Sequence, residues 1–207
     1  MKKGLTELVF VLDRSGSMTG LEDDTVGGYN ALLEGNRAIE GEAVVTTVLF
    51  DHEMIRLHDR VPIAEVHPMT RSDYVPRGST ALLDAVGFTL RDMERTQKIL
   101  PEECRAEHVM VAIATDGYEN ASTHFDYAQV KRMMIAAQER GWEVVFLGAN
   151  IDVAAEAARI GVRTDHAMRY EATPAGTAQA YDVLLKASTC VRAGEPVSSR
   201  SKHKEHR

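Results

Sequence analysis

The chain has 207 residues, 44% of them hydrophobic and 27% charged, with 31 acidic and 24 basic side chains and a formal net charge of −7. A chain of that length buries roughly 70% of the surface it exposes when unfolded, so neither a disulfide nor a structural zinc is needed to hold it. The composition excludes a disordered chain, and the acidic balance excludes a nucleic-acid binder, whose phosphate contacts need a basic face.

In chain order, Leu8 to Leu12 is an unbroken apolar run that reads as a strand buried on both faces. Leu21 to Ile39 reads as a helix in which Gly27 and Gly28 lower the intrinsic propensity, so close packing is expected to hold that turn. Ala43 to Phe50 is a second strand, and Glu53 to Leu57 is expected to pair with it as a short edge hairpin. The stretch from Asp59 to Ser79, with Pro62, Pro68, Pro76 and Gly78, reads mostly as loop. Thr80 to Ile99 is a helix stopped by Pro101, and Val109 to Ala114 a third buried strand. Tyr127 to Arg140 carries Val130, Met133, Met134 and Ala137 at helical spacing, so the methionines are read as core filler.

Val144 to Leu147 (strand), Asp152 to Ile160 (helix), His166 to Tyr170 (weak strand) and Thr177 to Arg192 (helix) complete the series. Strands alternating with helices imply an α/β fold with a mainly parallel, doubly wound sheet and helices on both faces. Residues 1–192 are read as one domain. Residues 193–207 are read as a basic, disordered tail; Ser198 to Arg207 holds four Lys or Arg against one Glu.

The only cysteines are Cys104 and Cys190, with no Cys-x-x-Cys, which points to a reducing compartment. No stretch approaches transmembrane length, and the run after Lys2-Lys3 is too short for a signal peptide, so a cytoplasmic protein with no membrane contact is expected.

The chemistry is concentrated in Asp13-Arg14-Ser15-Gly16-Ser17-Met18, directly after the first strand. Alternate residues of an extended segment point the same way, so Asp13, Ser15 and Ser17 can aim oxygens at one point while Arg14 points elsewhere, to solvent or a surface pair. One carboxylate and two hydroxyls form a hard oxygen set suited to Mg²⁺ or Mn²⁺. Thr80 opens the second long helix, and Asp116, in Thr115-Asp116-Gly117, ends the third buried strand. Asp13 and Asp116 therefore lie on the carboxyl edge of the sheet, where such folds collect ligands. Glu119 is read either as a neighbour of the ion or as a solvent-facing loop carboxylate, and His52, His58 and His108 as ordinary histidines.

Asp-x-Ser-x-Ser, followed by Thr80 and then Thr-Asp-Gly, resembles the metal-ion-dependent adhesion site of von Willebrand factor A domains. The resemblance spans about residues 5 to 192 and looks most like the small intracellular bacterial members. It implies a six-stranded sheet in the order 3-2-1-4-5-6 with strand 3 antiparallel, and a metal on Asp13, Ser15, Ser17, Thr80 and Asp116. It also implies a non-enzymatic binding module whose ion takes an Asp or Glu of a partner protein.

The rival reading is a Mg²⁺-dependent phosphatase or phosphotransferase of the haloacid dehalogenase type. That chemistry needs a second carboxylate two residues after the first, and Ser15 stands there.

Overall fold

The structure, a computed structural model, describes residues 1–197. The basic stretch from Ser198 onward lies outside the described residues. Side chains of β1 (Lys2–Asp13) alternate between two apolar clusters: Leu8, Phe10 and Leu12 enter one, Val9 and Val11 the other. A strand covered on both faces has no polar side to show, which explains the unbroken apolar run. Parallel partners flank it, β2 (Glu42–Phe50) on one side and β4 (Ala106–Thr115) on the other. Beyond β2 lies the antiparallel β3 (Met54–Pro62); beyond β4 lie β5 (Glu143–Gly148) and β6 (Ala167–Arg169), both parallel. The sheet order is 3-2-1-4-5-6, as expected.

Helices α1 (Glu22–Arg37) and α5 (Pro174–Arg192) cover one face with Tyr29, Leu32, Leu33, Tyr181 and Leu184. Helices α2 (Leu82–Ile99), α3 (Tyr127–Glu139) and α4 (Val153–Ile160) cover the other with Leu82, Val86, Val130, Met134 and Ile160. The packing expected at the glycine pair of α1 is real: a Cβ on Gly28 would lie 2.3 Å from the Tyr181 ring, so only glycine lets α5 come this close.

Some boundaries differ from the sequence reading. β1 begins at Lys2, which pairs with Ala106 of β4, and β3 runs on to Pro62 because its ladder with β2 continues through bulges near Thr47 to pair Val44 with Pro62. α5 begins at Pro174, ahead of Thr177, since the Thr173 side chain caps it by accepting from Gly176 N–H at 3.1 Å. The packed chain also extends past Arg192, as Val197 is buried in the α1–α5 cluster.

The crossover from β1 leads toward β2 and the later crossovers lead away beyond β4. The carboxyl ends of β1 and β4 are therefore adjacent at the point where the winding reverses.

Candidate metal centre

Asp13 is the last residue of β1 and Asp116 follows the last residue of β4, and each is only 2% exposed. Burial on this scale disfavours a bare carboxylate. The Asp13 carboxyl is pushed up to about 6, chiefly by desolvation and slightly by the charge of Asp116; hydrogen bonds from Thr115 and Ser15 oppose the shift. Asp116 is also raised by burial, with the Ser17 hydroxyl acting against it.

The structure joins three of the predicted donors, Ser15, Ser17 and Asp116, by hydrogen bonds. Ser17 Oγ donates to Asp116 Oδ1 at 2.5 Å, and the Ser15 and Ser17 hydroxyls are 3.1 Å apart. A methyl group built on Gly117 would stand 3.3 Å from Thr80 Oγ1 and 3.7 Å from Ser17 Oγ, so both hydroxyls face the Asp116-Gly117 turn. Asp116 Oδ2, by contrast, is buried with no hydrogen-bond partner. An unpartnered oxygen of a buried carboxylate, beside a second carboxylate and three hydroxyls, is the electrostatic shape of a hard-cation site. The donor set therefore fits a hard divalent cation.

Several residues that sequence reasoning passed over hold these donors. Asp13 Oδ1 accepts from Ser15 N–H at 2.7 Å and Oδ2 from the Thr115 hydroxyl at 2.5 Å. The Tyr74 hydroxyl donates to the Asp13 carbonyl. Asn120 clamps Thr80 by two bonds: its Oδ1 accepts from Thr80 N–H at 2.9 Å, and its own N–H donates to the Thr80 carbonyl at 3.0 Å. Thr80 thus precedes α2, whose N-cap position is Ala81, and is held from the Asp116 loop.

Glu119 has a structural task. Its carboxylate accepts from Leu83, Ala121 and Ser122 N–H groups and from the Ser122 hydroxyl at 2.7–2.9 Å, tying the Asp116 loop to the first turn of α2. The Thr-Asp-Gly string gave a signal that this loop turns, but none that it grips α2.

Arg14 corrects the sequence reading. It is 4% exposed, not on the surface, and its Nε lies 2.9 Å from Asp51 Oδ2, without the alignment of a hydrogen bond. The strand alternation did turn it away from the donors, but the space it enters is closed by β2 and the loop before α2.

No protein-family model and no curated protein matches the chain. Solved structures do. The order and direction of its strands place the chain in the class of doubly wound α/β domains. More particularly, it has the fold of von Willebrand factor A domains. The vWF domain of the type V pili tip protein Mfa5 from Porphyromonas gingivalis is similar at TM-score 0.63 and 15% identity, over 88% of this chain and 94% of that one. Proximal thread matrix protein 1 from the mussel byssus, solved with a zinc-occupied MIDAS motif, gives 0.59 at 14% identity over 90% of this chain. Manganese-loaded TRAP protein of Plasmodium vivax gives 0.56 at 15% identity over 79% of this chain. The chain spans 46% of the mussel protein and 65% of TRAP.

Proposed function

We propose that this domain holds one divalent cation, Mg²⁺ or Mn²⁺, on Asp13, Ser15, Ser17, Thr80 and Asp116, and uses it to bind an acidic side chain of a protein partner. The observation that carries the reading is Asp116 Oδ2, buried without a partner beside the other four donors. Two carboxylates balance the charge of one such ion. Five protein oxygens leave an octahedral shell incomplete, so a bound ion supplies a Lewis-acidic position for a carboxylate oxygen from outside. We read the residues of this chain as holding and orienting the ion, and the domain as a binding module and not an enzyme.

No helix among the described residues is long and apolar enough to cross a membrane. Cys104 and Cys190 are both free thiols, which accords with a reducing compartment, and we place the domain in the cytoplasm. We also read residues 1–192 with their packed extension as a single domain.

The test is calorimetric titration of metal-stripped protein with Mg²⁺ and Mn²⁺, followed by capture of partners from a native extract in Mg²⁺ and in chelator. Saturable binding at one site and chelator-sensitive capture are expected. No saturable binding at millimolar metal removes the proposal.

A further inference from the structure

Asp51, the residue after β2, is completely buried although it carries a carboxylate. Such a group needs cationic and hydrogen-bonded neighbours. Arg14 Nε and Arg77 Nε lie 2.9 and 3.1 Å from its Oδ2; His52 Nδ1 lies 3.1 Å from Oδ1, which also accepts from Glu53 N–H at 2.7 Å. None of these side chains is among the five oxygens of the metal centre, yet each sits on or against a segment that carries one. Arg14 stands between Asp13 and Ser15. Arg77 begins the segment that ends at Thr80. His52 fills the space above Gly78, where a Cβ would come within 2.0 Å of its Nδ1.

The main chain makes the same connections. Ala81 N–H donates to the Asp51 carbonyl at 2.8 Å, Arg77 N–H to the Arg14 carbonyl at 2.9 Å and Gly16 N–H to the Gly78 carbonyl at 3.1 Å. Thr80 is therefore bracketed, on one side by Arg77 and on the other by Ala81, and both are held to Asp51.

We propose that Asp51 is a positioning residue for the metal centre: by holding Arg77 and Arg14 on one carboxylate, it sets the Thr80 hydroxyl against Asp13 and Asp116. This inference rests on the metal-binding reading above. Asp51, His52 and Glu53 do bring three donor atoms within 4.8 Å of one another, in the manner of a second cation site. Two guanidinium groups already occupy that space, Arg77 pairing with Glu53 as well as Asp51, and a second cation would have to displace them. The cluster is a brace for the site beside it.

Residues that orient metal ligands without touching the ion change affinity by about 10–100-fold when removed. A double-mutant cycle separates positioning from general support of the fold. Mn²⁺ affinity is measured on the full chain as wild type, Asp51→Asn, Thr80→Ala and the double variant. Asp51→Asn is expected to weaken Mn²⁺ about tenfold or more in the wild-type background, and less than about twofold once Thr80 is already gone. Additive losses, or wild-type affinity in Asp51→Asn, overturn the inference, even if the variant melts earlier.

Removing one partner of a buried pair can unfold a domain. Arg77→Met, whose side chain is half exposed and which leaves the Arg14–Asp51 pair in place, is therefore carried through the same cycle and is expected to show the same non-additivity. Loss of Mn²⁺ binding in the wild type would defeat the metal reading itself and the inference with it. Wild-type binding with an additive cycle defeats the positioning role alone.

Discussion

The hydroxyl of Thr115 donates to Asp13 Oδ2 at 2.5 Å and so joins the carboxyl ends of β1 and β4 through the last residue of each strand. Thr115 Oγ1 also lies 3.1 Å from the Gly117 carbonyl and takes Gly117 N–H at 3.3 Å, which binds the turn carrying Asp116 to the same oxygen. Position 115 therefore holds the Asp13 carboxylate directly and the turn of Asp116 through the Gly117 backbone.

Thr115→Val keeps the shape of the side chain and removes that oxygen. The buried Asp13 carboxylate and Gly117 N–H each lose a partner, a loss of about 1–3 kcal/mol of stability. Urea unfolding in chelator measures it, and Mn²⁺ affinity should fall in parallel. An unchanged midpoint would show that water replaces the hydroxyl freely.

The raised pKa of Asp13 makes a signed prediction for metal-free protein. Its ordinary value is 3.8 and the folded value is about 6, so between these the folded state binds more protons than the unfolded one. Stability from this group is present below about pH 4 and lost as pH rises through about 6. Asp13→Asn removes the titration and can keep both contacts: Oδ1 accepts from Ser15 N–H, and Nδ2 donates to Thr115, whose proton turns to the Gly117 carbonyl. The melting temperature of Asp13→Asn minus that of wild type, in chelator, should increase across that window and then level off. A flat difference from pH 4 to 7.5 would contradict it.

Metal should reverse the order. With both carboxylates buried, Mg²⁺ is expected to raise the wild-type melting temperature at pH 7.5 and to leave Asp13→Asn nearly unmoved, since binding to the folded state alone stabilises by mass action. Differential scanning fluorimetry across a Mg²⁺ series is sufficient. Equal shifts in the two proteins would point to a cation bound elsewhere.

Gly78 has φ +63°, and a Cβ there would collide with His52. Gly78→Ala is expected to cost about 1–2 kcal/mol from the left-handed backbone alone, and to weaken Mn²⁺ because the segment leading to Thr80 must shift. Thermal melts and titration read the two effects separately.

Neighbouring glycines of α1 should respond in opposite directions. A Cβ on Gly27 meets nothing within 4 Å, so Gly27→Ala is expected to add about 0.5–1 kcal/mol through helix propensity. Gly28→Ala should destabilise, because its methyl would drive into Tyr181 and push α5 outward. Chemical denaturation of the two variants gives the signs.

The order of chemistry along the chain was legible before folding. Apolar runs at Leu8–Leu12 and Val109–Ala114 announce strands buried on both faces, because a strand between two helical layers has no side on which a polar residue is cheap. Local alternation then puts Asp13, Ser15 and Ser17 on one side, and the position of Asp116 after its strand puts it on the same edge. What lies opposite those residues is another matter. Arg14 reads as a surface side chain because its partners, Asp51 and the loop before α2, come near only when β2 pairs with β1 and the chain returns through Arg77. Glu119 and Asn120 look like ordinary loop residues until that loop meets the start of α2. Sequence periodicity reports which way a side chain points relative to its own element. Which charge or hydroxyl meets it there is decided by crossovers that bring together residues distant in the chain, and that is a property of the packed sheet alone.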